Sequence, residues 1–305
     1  MRAARGPLFA AALLFTTAAA ADQYDLRLYK LGNPAANDAN GDPRAQENFR
    51  AFARTFGAAL TSTTLGPPET LGHAAFAVNA ELSVVQLDAT RVRIPTVRQA
   101  DGTPGIDGAL LLPSVHVRKG LPWSFELGTR VTWVEKSRMF AATGEVKWAL
   151  NEGFAYLPDL GVRGHVTRLF NTPDLHLTTA GADLALGKQF AIGGMVTLTP
   201  YVGWNLVWVA AASNTVDFEP SRPRASHQRS PAAAFENSNV YGQLNLADNS
   251  HNRFYGGIRF IGGVLQLGAE YSLSQLPRIP VTGEQGQFVE VPDVSAFNFT
   301  VGLDF

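Results

Sequence analysis

The chain has 305 residues, a formal net charge of -1 and 0 cysteines. This near-neutral charge argues against a nucleic-acid binder or a general polyanion binder. The lack of cysteine excludes disulfides, thiol nucleophiles, cysteine-ligated metals and a lipidated N-terminal cysteine. Charged residues make up 17% of the chain, below the roughly 25% that is usual in soluble proteins.

The first 21 residues have the layout of a secretory signal peptide. Arg2 and Arg5 precede an apolar run from Leu8 to Ala20, and small residues occupy 19–21. The run is shorter than the roughly 20 residues that a membrane-spanning helix needs. We therefore predict cleavage after Ala21 and export from the cytoplasm.

Residues 22–72 are predicted to form a periplasmic N-terminal segment with a helix at 43–60. Asp42 can cap this helix, and Pro43 suits its first turn. An apolar stripe follows at helical spacing: Phe49, Phe52, Phe56 and Leu60. The helix either covers or plugs the mouth of the domain that follows, or lies on the membrane surface. We favour a cap, because a helix about 10–12 Å wide leaves little room in a narrow lumen.

From about residue 73 to the end, apolar and polar residues alternate with period two, which predicts β-strands with one wet face. Between Phe125 and Trp133, for example, one face is apolar and the other carries Glu126 and Arg130. Ten such segments are predicted: 73–88, 108–119, 122–134, 139–150, 157–169, 174–187, 194–211, 251–261, 264–275 and 294–305. Many are longer than the 5–6 residues of an average soluble strand and reach the 9–11 of a tilted membrane span.

The links between these segments fall into two classes. Several are short, and three are long: 89–107, 212–250 and 276–293. Short periplasmic turns and long outer loops are typical of outer-membrane barrels. We therefore predict an all-β fold for residues 73–305, a closed antiparallel transmembrane β-barrel of about ten strands preceded by the short helix. An added hairpin that includes Asn239 to Ala247 would make it twelve.

The last strand ends on an aromatic residue, with an apolar residue at every second position. This set resembles the C-terminal insertion signal of Gram-negative outer-membrane β-barrel proteins: Phe297, Phe299, Val301, Leu303 and Phe305. The segments GLPWSFELG (120–128), LPDLGVRG (157–164) and LTPYVGW (198–204) are similar to those of uncharacterised members. The resemblance implies residence in the outer membrane, contact with its lipid and lipopolysaccharide, and assembly by the barrel-assembly machinery. It implies no particular function.

Strand parity places many ionisable side chains on the inner face. The predicted lumen-lining residues are Glu81, His116, Arg118, Glu126, Arg130, Glu145, Lys147, Arg163, His165, Asp183, Arg259 and Glu270. They line a polar path that selects solutes, or they form a salt-bridged interior that seals the barrel. Both interpretations stay open at this point.

The leading functional hypothesis is a channel or transporter for small or lipophilic solutes. The alternative is a sealed structural or surface-interaction barrel, and the third is a lipid- or peptide-hydrolysing enzyme. Ser114 and His116 share a face, but residues two apart on a strand are roughly 6.6–7 Å apart, too far for a direct bond. We therefore predict no catalytic residue. The six histidines show no HxxxH or HxH spacing, so we predict no metal site, and we predict no cofactor. In the loop 221–229, Arg222, Arg224 and Arg229 are candidates for binding lipopolysaccharide phosphates.

Overall fold

The structure is a computed structural model that describes residues 22–34, 42, 44–100, 103–154, 156–193, 195–218, 220, 241–281 and 286–305. The predicted signal peptide, Pro43 and the arginine-rich loop 221–229 lie outside the described residues. Within the described part of the chain, no helix has both the length and the apolar character to cross a membrane.

Ten long strands close into one antiparallel barrel, as predicted. They are β1 (Phe76–Gln86), β2 (Ala109–Leu121), β3 (Phe125–Trp133), β4 (Phe140–Asn151), β5 (Asp159–Phe170), β6 (Leu175–Gly187), β8 (Val196–Ser213), β9 (Ser250–Gly262), β10 (Leu265–Gln275) and β13 (Val294–Asp304). Between β6 and β8, the short β7 (Phe190–Ile192) pairs with the start of β8. In the last long link, β11 (Ile279–Pro280) pairs with β12 (Phe288–Val289).

The barrel closes where its first and last strands meet. β1 pairs with β13 along its length, and Phe76 and Phe305 exchange backbone hydrogen bonds of 2.9 and 2.8 Å. The twelve-strand alternative is not formed by the described residues of 239–247. There, Leu244 makes an isolated bridge to Ala211, and Leu246–Asp248 form a 3-10 turn.

The outer wall is apolar and carries aromatic residues near both ends. On the last strand, Phe297 and Phe299 are 45% and 48% exposed, whereas Asn298 between them is fully buried. Phe125 stacks on Trp148 near the short turns, and Phe140 stacks on Phe170 near the long links. Eight residues of strand span roughly 26 Å, so the two aromatic rows bracket a band that suits a bilayer core.

The N-terminal helix α1 (Ala45–Leu60) lies inside the barrel, at the end where the long links are. Its predicted apolar stripe is buried, and the helix packs on β6 and β8. The Arg54 guanidinium donates hydrogen bonds to Asn249 Oδ1 (2.9 Å) and to the Pro277 carbonyl (3.1 Å), both in long links. The sequence favours a helix that caps the mouth at the short turns. In the structure the helix instead lies in the lumen, near the long links. The helix fits because the inner wall is aliphatic around it and Gly57 lets it approach Val209 closely.

After the helix, residues 61–72 run through the lumen to the end with the short turns. Leu65 donates its backbone N–H to Glu270, and Leu71 donates to Glu126 Oε2 at 3.0 Å, near the turn between β2 and β3. The chain then enters β1 at Phe76. We call residues 45–72 the plug, because together they extend from one end of the lumen to the other.

The residues before the plug belong to a folded structure beyond the barrel rim. Tyr24, Leu26 and Leu28 are buried together with Ile94 and Ile106 of the first long link. Tyr241 stacks on Phe49 of the helix and donates a hydrogen bond to the Leu28 carbonyl. Burial raises the pKa of Tyr241, which keeps this hydroxyl protonated as a donor. We call residues 22–34 and the long links around them the loop cap. It lies at the end of the barrel that carries the long links.

Replacing Gly161 with alanine should unseat the plug. A Cβ at this position would lie 2.7 Å from the Pro68 carbonyl oxygen, so the plug or the wall must move. We expect a loss of about 1–3 kcal/mol of unfolding free energy, as in other overpacked interiors. Urea unfolding of the detergent-solubilised barrel measures it.

Gly164 on the same strand is the matched control, because a Cβ there meets nothing within 4 Å. G164A should change stability by less than about 0.5 kcal/mol. Equal effects of the two substitutions would contradict a tightly seated plug.

Candidate functional site

The lumen has two layers of different chemistry. Towards the long links, the helix packs against aliphatic wall residues: Val85, Leu110, Leu112, Leu169, Leu177, Val207, Val209 and Val294. Towards the short turns, the wall is polar and charged, and residues 61–72 pass between its side chains. The interior is therefore an apolar core stacked on an ionic one, and both layers include the plug.

The structure places all of the predicted lumen-lining residues on the inner wall. Each is buried, from 1% exposed at His116 to 8% at Glu145. The residues of the predicted assembly signal lie on the outer wall instead, with Phe305 the most exposed at 67%. Strand parity thus sorts the two sets onto opposite faces.

A chain of ion pairs crosses the polar layer at mid-height. Glu81 forms an ion pair with Arg130, whose Nε lies 2.7 Å from its Oε2, and its Oε1 lies 3.0 Å from His116 Nδ1. The other ring nitrogen of His116 lies 2.9 Å from Glu145 Oε1. Arg163 then joins Glu145 (2.8 Å) to Asp183 (3.0 Å). Buried charges need such partners, because an unpaired charge in a low-dielectric interior is costly.

Arg130 and Arg163 of this chain, together with Arg253, donate hydrogen bonds to the plug where its helix ends. Arg253 donates to the carbonyls of Ala58 (2.8 Å) and Ser62 (3.1 Å). Arg130 and Arg163 donate to the Thr63 carbonyl at 2.8 and 2.9 Å. The last carbonyls of a helix lack intrahelical partners and carry partial negative charge. Arg253 therefore stabilises the helix end, and Arg130 and Arg163 hold the chain just beyond it; we call the three guanidinium groups the arginine clamp.

Nearer the short turns, further charged wall residues contact the plug. Lys147 pairs with Glu126 at 3.2 Å, and Glu126 also accepts the N–H of Leu71. Arg118 lies 3.6 Å from the same carboxylate.

Arg259 forms an ion pair with Glu69 of the plug. His165, by contrast, has its main contact with the wall, where Asn205 Nδ2 lies 3.0 Å from its Nε2. Most of the predicted charges therefore serve to pair with one another or to seat the plug.

Arg253, Tyr201 and Asn205 take part in this site but were absent from the sequence-based set. Arg253 shares the parity of Arg259 on the same strand, so the alternation pattern was enough to find it. Tyr201 donates to Glu270 at 3.0 Å across two strands. That contact depends on the curvature of the wall, which the alternation does not specify.

The polar layer offers little room for a reaction. Ser114 Oγ donates to Glu81 at 3.2 Å and makes no bond to an imidazole. A cavity between the clamp and the helix end has a volume of about 20 Å³, enough for one water molecule. Among the described residues, no three histidine, aspartate or glutamate side chains are grouped to hold a metal ion.

No family model and no curated protein matches the chain. Among solved structures, the chain is similar to the β domain of the Bordetella autotransporter BrkA (12% identity, TM-score 0.40, 76% of this chain and 99% of that one). It is also similar to the translocator domain of the autotransporter NalP from Neisseria meningitidis (10%, 0.37, 86% and 98%). A third is Ail of Yersinia pestis (11%, 0.28, 76% and 99%). Similarity of this size carries no information on function.

Replacing Arg163 with glutamine should destabilise the protein strongly, because it leaves Glu145 and Asp183 without a main partner. Breaking a buried ion pair costs roughly 3–5 kcal/mol. Arg278 is the matched control, because its 2.9 Å pair with Glu290 is exposed on both sides. R278Q should cost less than about 1 kcal/mol. Urea unfolding compares the two, and equal losses would contradict a buried ionic core.

Proposed function

We propose that this protein is an outer-membrane barrel that is closed by its own N-terminal segment and serves as a structural or surface-interaction protein. The observation that carries the proposal is the arginine clamp on the plug. Three arginines of the wall donate hydrogen bonds to the backbone of residues 58–63, so the wall is built around that segment. The folded part outside the membrane is then the loop cap.

Placement in the outer membrane is supported by the sorting of charge across the wall. Of the Asp, Glu, Lys and Arg side chains on the ten described barrel strands, only Lys119 and Arg168 face outward. Hydrocarbon cannot solvate the charged side chains that face inward, whereas an interior in which they pair can stabilise them. Short turns lie in the periplasm in such barrels, so we propose that the loop cap faces the cell exterior. Export by the predicted signal peptide and assembly through the terminal strand belong to the same proposal.

Passage of small or lipophilic solutes remains a prediction from sequence, and it would require the plug to leave its seat. Hydrogen bonds to charged groups contribute roughly 1.5–3 kcal/mol each, and the clamp alone makes several. Withdrawal of the plug would also break the ion pair between Glu69 and Arg259 and separate the helix from the aliphatic wall. These contacts favour the sealed barrel over an open channel as the resting state.

A hydrolytic enzyme is the candidate that the geometry supports least. His116 has carboxylates at both ring nitrogens, and Ser114 is bonded to Glu81. Neither group faces a space that admits a lipid or a peptide. We therefore propose a non-enzymatic role.

The full-length barrel should be electrically silent in planar lipid bilayers. The plug occupies the lumen from the helix to Gly72, so we expect no discrete conductance steps. Regular steps from purified, folded protein would contradict the sealed barrel and favour the channel.

Thiol labelling in detergent tests access to the lumen, so its result does not depend on insertion of the protein into a bilayer. The chain has 0 cysteines, so S114C would carry a single thiol in the lumen and a Val264→Cys variant a single thiol at a short turn. A membrane-impermeant maleimide should label the turn in folded protein in detergent. It should label position 114 only after unfolding. Rapid labelling of folded S114C would argue for an open lumen.

An epitope inserted between Asp22 and Gln23 should be accessible on intact cells. Residues 22–34 pack among the long links, so the proposed orientation puts this end of the chain outside. Antibody binding to intact and permeabilised cells measures it. The same epitope between Gly263 and Val264, in a short turn, should react only after permeabilisation. A reversed pattern would contradict the orientation.

A further inference from the structure

The outer wall carries two full charges on its described strands, and they differ in their contacts. Lys119 lies near the short turns, where its Nζ donates to the Ala74 carbonyl. Arg168 lies near the long links and makes no hydrogen bond or ion pair with any described residue. It is an exposed guanidinium on a largely apolar wall, and no described acid pairs with it.

The position of Arg168 fits the boundary between acyl chains and lipid headgroups. It is two residues, roughly 6.6–7 Å, further into the band than Phe170, whose ring stacks on Phe140. Its cross-strand neighbours are small, Ala142 on one side and Thr178 on the other. The long side chain can therefore extend along the wall to the rim, as arginines near membrane interfaces do. An anion at that level would pair with it.

A basic recess lies further towards the long links, between the turn after β3 and the turn after β5. It has a volume of about 450 Å³ and is lined by Arg27, Arg138 and Asn171 among others. Asn171 Nδ2 donates to the Arg138 carbonyl at 2.8 Å, which ties the two turns together. The acid in the lining, Asp25, already accepts backbone N–H groups from Arg138 (3.0 Å) and Asp22 (2.9 Å).

We infer that Arg168 and this recess bind the phosphorylated headgroup of a lipopolysaccharide molecule, with Arg168 as the phosphate ligand. Arginine is suited to this role, because its planar fork makes two parallel hydrogen bonds to phosphate. The apolar wall below, with Val166 exposed next to Arg168, accommodates the acyl chains. The recess above takes the sugar part. The inference rests on the proposed outward orientation of the long links, since that leaflet contains lipopolysaccharide.

The test is the binding of lipid A that carries its phosphates to the full-length protein in detergent, measured by native mass spectrometry. Replacing Arg168 with glutamine should weaken binding about tenfold, the loss expected for one charge-assisted contact. R168K should retain part of the affinity, because a point charge remains. K119Q is the matched control: it removes the other outward charge and should leave binding unchanged.

Lipid A without phosphates should bind the wild type about as weakly as phosphorylated lipid A binds R168Q, and it should be insensitive to R168Q. Equal binding of both lipids, or equal binding by wild type and R168Q, would overturn the assignment. Equal competition by phosphatidylglycerol would also overturn it, in favour of a general anionic-lipid site. Heat-modifiable migration in gels confirms that each variant is folded.

This binding test does not depend on the state of the lumen or on the orientation in the cell. A barrel that conducts, or one whose N-terminal epitope is periplasmic, would contradict the proposed function and could still bind lipid A through Arg168. A silent, correctly oriented barrel with unchanged R168Q binding would contradict the lipid site alone.

Discussion

Charge that is excluded from the outer wall must be neutralised inside, and this constraint organises the whole molecule. Lipid cannot solvate ionised side chains, so the strands turn nearly all of theirs towards the lumen. A narrow lumen cannot hydrate them either, and an unpaired charge there would oppose folding. The network from Glu81 through His116 and Glu145 to Asp183 meets this requirement. Even so, the guanidinium groups of the clamp have donors left over.

The plug accepts those remaining hydrogen bonds. The end of helix α1 presents carbonyls that no residue of the helix can satisfy, and Arg130, Arg163 and Arg253 donate to that region. Helix and wall thus each satisfy polar groups that the other leaves open. The aliphatic layer above adds burial of the helix stripe against Leu112, Val209 and their neighbours. The plug is therefore better described as the core of the barrel than as a ligand in a pore.

The strands could be predicted from the sequence because the side-chain period of a β-strand is 2 and lipid imposes a strict choice of face. That choice predicts an inner position for Arg130, Glu145 and Arg163, whose side chains are buried. The position of the helix could not be obtained in the same way, because period and parity describe the wall and not what crosses the lumen. One signal was present: near the long links, positions such as Leu110, Leu112, Val207 and Val209 are apolar on the inner face as well. An apolar inner wall indicates that another apolar segment packs against it. The apolar stripe of residues 49–60 is that segment.

A closed interior shifts recognition to the outside of the molecule. Most charged groups of the lumen pair with one another or with the plug, so few of them are free to select a solute. The loop cap is held by its own apolar core of Tyr24, Leu26 and Ile94, which gives the outer end a defined shape. At the rim of this cap, Arg168 is an exposed charge that no described residue pairs with. Keeping a charge on a lipid-facing wall without an internal partner is favourable when the membrane itself supplies the counter-ion, and phosphate at the headgroup level does so. The same electrostatic rule therefore accounts for both sides of the wall: charges inside are paired by the chain, and Arg168 outside is paired by the lipid.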